Sequence, residues 1–451
     1  MLYNDETIVY DANILGFETK LISIAHHMGH CAATYYTSNF DNAICFSMDS
    51  SGGHPDNNSF VAIGSNNKLF AQDIPGIMVG MAYADFTLYT GVGNPLYKAG
   101  SLMGLASYGQ ADKEIINNID QYIKESYFPL IKSKKYKNSV GKDYFEYYLD
   151  LWKKLSKQDE LFKTSSKKNK KQMNIAASIQ YLFENTILDT VNNIKNNEIQ
   201  NLCLSGGSML NCNANTVIKK NGKFKNIHHF PACGDDGNSV GAALYVAHHV
   251  YDEPRYKYEY KDLMYLGKKY EYIEPNYNKI AKMISEGKII AWFMGGSEFG
   301  PRALGARSIL ADPRNQHNRE LLNFVVKNRE WFRPFAPVVL EEESEKWFDF
   351  DGPSPFMLYT AQVLQPEKIP AVTHFDGSAR MQTINKNTNE PYYNLVKEFF
   401  NITGIPMLIN TSLNGKDQPI LETPEDAINF LKNNDVDALV LNGELILKED
   451  M

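Results

Sequence analysis

Three stretches of the chain share one arrangement: an apolar run ends in a tight turn of Asp, Gly and Ser, and in two of the three a helix-like segment follows at once. They are NAICFSMDSSGG (42–53), IQNLCLSGGSMLNCNANTVIKK (199–220) and HHFPACGDDGNSVGAALYVAHHV (228–250). Short apolar runs bounded by turn residues read as buried strands, and a helix that starts just after a glycine turn offers its backbone amides to an anion. Strand, polar turn and helix in succession restrict the fold to α/β, with ligands gathered at the strand ends. A polar, charge-rich stretch, YDEPRYKYEYKDL (251–263), interrupts the pattern, and a new alternation begins at KIIAWFMGG (288–296). A chain of 451 residues exceeds one ordinary core. Two domains are therefore expected, 1–261 and 262–451.

Composition narrows the class. Hydrophobic residues at 43% and charged residues at 22% belong to a globular chain with real cores. No eighteen apolar residues run together and the N-terminus lacks a basic leader, so neither export nor a membrane passage is expected. Cys31, Cys45, Cys203, Cys212 and Cys233 are odd in number and show no C-x-x-C spacing, which points to reduced thiols in the cytoplasm. The net charge of -7 weighs against a protein coated for nucleic acid. One segment runs the other way: between Ile131 and Lys171 lysines are dense (IKSKKYK, KKLSK, KKNKK), as in a solvated helical insertion or a local phosphate-tracking field.

In IAHHMGHCAATYY, His26 and His30 stand four apart and share one face of a helix. That is metal-ligand spacing; with carboxylates added it suits Fe(II), Mn(II) or Zn(II) better than Ca(II). Asp49 ends the first strand, and Asp235 and Asp236 sit in the turn before the third segment's helix. Both turns place carboxylates beside backbone amides, although turns favour Asp and Gly on conformational grounds as well. In the second half, Arg302, Arg307, Arg314, Arg319, Lys327, Arg329 and Arg333 crowd GGSEFGPRALGARSILADPRNQHNRELLNFVVKNREWFRPFAP. The rest of the chain prefers lysine, and the arginine fork binds phosphate or carboxylate through two bonds, so this density reads as a polyanion pocket. His374, Asp376, Arg380, Asn410, Thr411, Ser412 and Asn414 add polar groups at turns after apolar strands.

Read together, HHMGHCAATYY, MGLASYG, LSGGSMLNCNAN, CGDDGNSVGAAL, EFGPRALGARSILADPR, REWFRPFAP, SPFML, THFDGSARMQT and INTSLN resemble the NodU/CmcH-type O-carbamoyltransferases over nearly the whole chain. The resemblance implies an N-terminal actin/hexokinase-like ATPase fold, similar to the tRNA threonylcarbamoyladenosine transferase, and a C-terminal YrdC-like α/β domain. It implies carbamoyl phosphate and ATP, with Mg(II), as co-substrates. They would form carbamoyl adenylate in a C-terminal site of Arg302, Arg307, Lys327, Arg329 and Ser412, with Asn410 and Thr411 at the nucleotide. In the N-terminal site His26, His30 and Asp235 would hold a metal, Fe(II) by resemblance. Gly206, Gly207, Ser208 and Asn211 would cradle the adenosine there, and Asp49 would act at the phosphates or the metal. The general base is unassigned, with His27 and His54 as candidates.

The resemblance implies an alcohol as acceptor, either a hydroxymethylated base in DNA or a sugar or natural-product hydroxyl, and a homo-oligomer is left open. The chain departs from the family in three places. The usual opening portion, with its strand pair and first phosphate turn, is expected to be missing, since the metal-motif helix reads as beginning near Ile24. KAGSLMGLA has Ser101 near an expected lysine, with Lys98 as a stand-in, and Gln418 replaces a Glu. A competing reading is a nucleotide-binding partner subunit without catalysis; threonylcarbamoylation of tRNA is disfavoured by the domain order.

Overall fold

The computed structural model describes residues 7–49, 58–72, 76–127, 169–195, 198–416 and 418–451. The lysine-dense insertion expected at 131–171 lies outside them as far as residue 168, and its last three residues open a helix. The chain divides into two compact units, Met1–Lys257 and Tyr258–Met451.

The first unit opens with β1 (Ile8–Ile14) and β2 (Phe17–Ser23), an antiparallel hairpin that forms a sheet of its own. It precedes α1 (His26–Thr37). The main sheet has the order β5-β4-β3-β6-β7, from β3 (Asn42–Met48), β4 (Ser59–Ser65), β5 (Lys68–Gln72), β6 (Asn201–Ser205) and β7 (Asn226–His229). Strands β3, β4 and β5 form an antiparallel meander, and β6 and β7 join parallel to β3, with Ile44 opposite Leu202 and Leu202 opposite Ile227. Ile44, Cys45, Phe46, Leu202, Cys203 and Leu204 are buried, the continuous apolar pattern of strands covered on both faces. Because β3, β6 and β7 run the same way, the turns after them emerge on one edge. That edge receives Asp49, Gly206–Ser208 and Asp235.

Helices α2 (Val79–Tyr89), α3 (Pro95–Ala106), α4 (Lys113–Ser126), α5 (Lys170–Asn193), α6 (Cys212–Asn221) and α7 (Asn238–Leu244) follow among the described residues of the unit. Asn side chains start two of them: Asn169 accepts from Lys171 N–H and Asn211 from Ala214 N–H. The crossing of α1 and α7 places the strand-edge histidines. A side chain at Gly241 would overlap the Gly29 carbonyl, so the two helices meet backbone to backbone.

The second unit is built on the sheet β11-β12-β13-β10-β14-β9-β8-β15-β16. Its strands are β8 (Ile290–Phe293), β9 (Arg307–Ala311), β10 (Ala336–Leu340), β11 (Phe348–Asp349), β12 (Tyr359–Val363), β13 (Ser378–Ile384), β14 (Met407–Ser412), β15 (Ala438–Leu441) and β16 (Glu444–Leu447). Pairing is antiparallel except for β10 with β13 and β8 with β15. The helices are α8 (Tyr260–Met264), α9 (Tyr277–Ser285), α10 (Gln316–Leu321), α11 (Glu390–Thr403) and α12 (Pro424–Asn433). Ile280 and Ile284 of α9, Leu395 and Phe399 of α11, and Ala427 and Leu431 of α12 share one core with Trp292, Ile309, Val338 and Leu408 of the sheet. Each large apolar side chain buried in this way contributes about 1.5–3 kcal/mol. A reciprocal capping box between Thr423 and Asp426, with Pro424 in the first turn, sets where α12 begins.

Among the described residues no helix is long and apolar enough to cross a membrane. All five cysteines are free and buried.

Candidate functional site

Helix α1 starts at His26 itself, so His26 and His30 occupy one face of its first turns. The ends of β3 and β7 bring Asp49 and Asp235 against them. His26 Nε2 lies 3.1 Å from His30 Nε2, 3.1 Å from Asp49 Oδ2 and 3.4 Å from Asp235 Oδ1. His30 Nε2 lies 3.0 Å from Asp49 Oδ2 and 3.2 Å from Asp235 Oδ1. Four donor atoms thus fall within 4.8 Å of one another. Ligands bonded to one divalent ion at about 2.1 Å stand about 3.0 Å apart when adjacent on an octahedron and about 3.4 Å apart on a tetrahedron. The donor set fits such an ion in number and chemistry, and the five separations that involve a histidine nitrogen, 3.0–3.4 Å, match those spacings. The His30 and Asp49 side chains form the floor, 1% and 9% exposed, while Asp235 at 76% leaves the outer side accessible.

The charges agree with that geometry. Hydrogen bonds to Asp235 and Asp49 raise the pKa of His26 to about 9. Burial opposes a charge on His30, but hydrogen bonds with Asp235 and Asp49 outweigh it and its pKa is also raised. Burial alone would raise Asp49, yet hydrogen bonds from His26 and His30 hold it well below the usual carboxylate range. Asp235 is held low by the same two rings. Two carboxylates facing two imidazoles create a demand for positive charge, met by protons or by a metal cation.

The glycine turn after β6 is part of this site. Gly207 N–H donates to Asp49 Oδ1, so that one carboxylate spans the histidines and the turn. Gly206 has a φ of 89°, and any Cβ there would meet the backbone of Met48, which accounts for glycine at this position. Ser208 lies in the single helical turn Gly207–Leu210, next to Gly80 of α2. The Asn211 side chain faces inward: it accepts from Ala214 N–H and exchanges amide hydrogen bonds with Gln180 at 3.0 and 3.1 Å. His27 is buried, with Nδ1 2.9 Å from Ser47 Oγ and its ring stacked over Phe60. The other candidate base, His54, lies outside the described residues.

In the second unit the expected arginine set separates into two groups. Lys327 is buried, and its Nζ donates to the Ser412 carbonyl, to Asn414 O at 2.9 Å and to Asn414 Oδ1 at 2.6 Å. Ser412 Oγ donates to the same Asn414 Oδ1 at 2.8 Å. Burial and the guanidiniums of Arg329 and Arg333 drive the Lys327 pKa far down. Arg329 is driven down by burial and by Arg333 and Arg380, and it lies over the Phe335 ring. His374 joins the same field, its pKa pushed down to about 4 by burial and by Arg380 and Arg319 against the opposing pull of Asp376. Crowded buried cations of this kind favour an anionic ligand.

Arg307 stands apart from that field. It is fully buried, donates at 3.1 Å to the carbonyls of Met294, Ala306 and Gly295, and stacks on Phe293 at 3.5 Å. Its guanidinium holds the 294–306 loop. Arg302 lies half-buried within that loop. Asn410 also supports the loop, donating to Ala303 O at 3.0 Å and to Gln382 Oε1 at 2.7 Å, while Thr411 follows it on β14. Glu298, the first residue of EFGPRALGARSILADPR, was given no role from the sequence: one of its oxygens accepts from Leu304, Ala306 and Arg307 N–H. Lys98 and Ser101 lie on α3, and Gln418 accepts from Gly415 N–H at 3.1 Å.

Comparison with known proteins assigns both units. Residues 6–244 match the carbamoyltransferase N-terminus and residues 281–448 the carbamoyltransferase C-terminus. A Synechocystis protein, sll1178, is 35% identical over 94% of this chain and 75% of its own length. Nodulation protein NolNO of Sinorhizobium fredii is 30% identical over 95% of this chain and 64% of its own. The 3'-hydroxymethylcephem-O-carbamoyltransferase of Amycolatopsis lactamdurans is 29% identical over 79% of this chain and 66% of its own. With both family domains matched in order, the chain belongs to the NodU/CmcH-type carbamoyltransferase family.

Proposed function

We propose that the chain is an ATP- and carbamoyl-phosphate-dependent O-carbamoyltransferase whose two units divide activation from transfer. In the second unit, Lys327, Arg329 and the neighbouring guanidiniums hold the phosphate charges of carbamoyl phosphate and of ATP, presented with Mg(II). There water releases phosphate and carbamate from carbamoyl phosphate, a carbamate oxygen bonds to the α-phosphorus of ATP as its bond to pyrophosphate breaks, and the fixed cations stabilise the charge that develops on the phosphoryl oxygens as carbamoyl adenylate forms. Arg302 and Ser412 line this site in our reading, while Arg307 and Asn410 shape its loop.

In the first unit, His26, His30, Asp49 and Asp235 hold a divalent ion, taken as Fe(II), and the Gly206–Ser208 turn lies against the nucleotide. When bound, that ion supplies Lewis-acid polarisation of the carbamoyl oxygen. The acceptor oxygen bonds to the carbamoyl carbon, the bond to AMP breaks, and the hydroxyl proton is released. Two features support the matching folds, actin/hexokinase-like and YrdC-like: the meander-plus-parallel sheet order of the first unit and the mixed sheet of the second.

The observation that carries this reading is the convergence of four donor atoms at the strand ends of a carbamoyltransferase-family chain. The similarity to a 3'-hydroxymethylcephem-O-carbamoyltransferase favours a hydroxymethyl group on a small molecule as acceptor. The experiment is mass spectrometry with ATP, carbamoyl phosphate and two acceptor panels, small hydroxymethyl alcohols and hydroxymethylcytosine-containing DNA. A carbamoylated small alcohol is expected; a carbamoylated base would move the acceptor to DNA. Absence of AMP, pyrophosphate and carbamoylated product would leave the non-catalytic partner subunit as the better reading.

A further inference from the structure

We infer that Asn238, the first residue of α7, is a positioning residue whose side-chain carbonyl accepts the Nδ1–H of His26 and so leaves the Nε2 lone pair facing Asp49 and Asp235 for a metal ion. This rests on the metal reading of that cluster. Three observations carry it. The Asn238 amide lies against the ring, its Nδ2 position 3.2 Å from His26 Nδ1. Its other terminal atom, Oδ1, is buried without a hydrogen-bond partner. A Cβ at Gly29, between the two histidines, would overlap that oxygen, so the side chain is held close against α1.

The oxygen and nitrogen of a side-chain amide exchange places by a half-turn, and the surrounding network decides which faces a neighbour. With nitrogen toward the ring, Nδ1 must accept, the ring proton sits on Nε2, and His26 cannot bind a cation through the atom that points at the cluster. The Asn238 oxygen is then also left without a partner. With oxygen toward the ring, Nδ1–H has its acceptor, the amide nitrogen takes the buried place against Gly29, and Nε2 presents its lone pair where the other three donor atoms converge. A ligating histidine takes its tautomer and orientation from the hydrogen bond on its second nitrogen. The close α1–α7 crossing at Gly29 and Gly241 therefore does more than pack two helices: it sets the first residue of one against the first histidine of the other.

The test is titration of Mn(II) into the metal-free full-length chain at fixed pH, with the free ion read by electron paramagnetic resonance. Asn238→Leu is expected to weaken Mn(II) binding about 10- to 100-fold. Asn238→Asp, which keeps an acceptor oxygen, is expected to restore most of the loss. Leu variant binding equal to or tighter than wild type would show nitrogen toward the ring and overturn the inference while leaving the metal reading intact. Wild-type protein that takes up no Mn(II) overturns the metal reading and the inference together. Should the Leu variant fail to fold, 15N spectra of histidine-labelled wild type loaded with Zn(II) give the tautomer directly. A proton on Nδ1 of His26 is expected, and one on Nε2 overturns the assignment.

Discussion

The first unit sets two carboxylates against two imidazoles at a sheet edge, with Asp235 exposed, whereas the second sets buried Lys327 with half-buried Arg329 and Arg333 beside Glu330. The first arrangement calls for positive charge and the second for negative charge. Neither demand is met by burial, which penalises every ion in both places. Within one chain the two polar clusters therefore differ in the charge they call for, which the proposed function fills with a metal ion in one and a phosphorylated co-substrate in the other. Total charge, at -7, hides the contrast entirely.

The sharpest way to break the comparison is to remove a cation from the second unit. Lys327→Met is expected to lower carbamoyl-phosphate-dependent AMP formation about 100- to 1,000-fold, the size typical of losing one fixed charge that stabilises developing phosphoryl charge. Mn(II) affinity measured on the same protein should be unchanged. A variant with normal AMP formation would mean that this cation cluster is structural.

Arg307 sharpens the boundary of that cluster. Arg307→Lys loses the planar fork that reaches three carbonyls and the stack on Phe293. A loss of about 2–4 kcal/mol in unfolding free energy is expected from denaturant titration, because a lysine cannot replace a fork at such a site. Any rise in the Michaelis constant for carbamoyl phosphate should accompany that loss of stability, because Arg307 reaches the site only through the loop that carries Arg302. A selective rise in that constant at normal stability would return Arg307 to the ligand-binding group.

The smallest effect is in pH. His26 in the metal-free cluster has a pKa raised to about 9. Above that value Nε2 is free to bind metal; below it a proton must leave first, so affinity falls as pH falls, by about tenfold per pH unit. Mn(II) dissociation constants between pH 7 and pH 9 check the slope, and a flat profile would contradict the proton competition described here.

Parts of this were legible in the sequence and parts were not, for identifiable reasons. His26 and His30 declare themselves because helical spacing puts them on one face before any tertiary contact forms. Asp49 and Asp235 could be named as strand-end turns, but only the parallel order of β3, β6 and β7 brings residues so distant in sequence to one edge. Composition favoured arginine as an anion ligand, yet it does not reveal where a guanidinium points. Arg307 faces backbone carbonyls, whereas Arg329 lies among other cations. Glu298 and Asn238 sit inside the strings EFGPRALGARSILADPR and CGDDGNSVGAAL, but neither string reveals the contact its residue makes. The first acts through loop amides and the second through a ring nitrogen, and both contacts exist only in the fold. The lysine-dense insertion, except for its last three residues, stays a reading of composition.

The division of labour between the units is tested most directly by carbamoyl-phosphate-dependent exchange of radiolabelled pyrophosphate into ATP, measured on His30→Ala. Exchange reports activation alone and needs no acceptor. His30→Ala is expected to exchange at the wild-type rate while failing to bind Mn(II) and to form any carbamoylated alcohol. Loss of exchange in a folded His30→Ala protein would contradict the account, because the histidine cluster would then take part in activation.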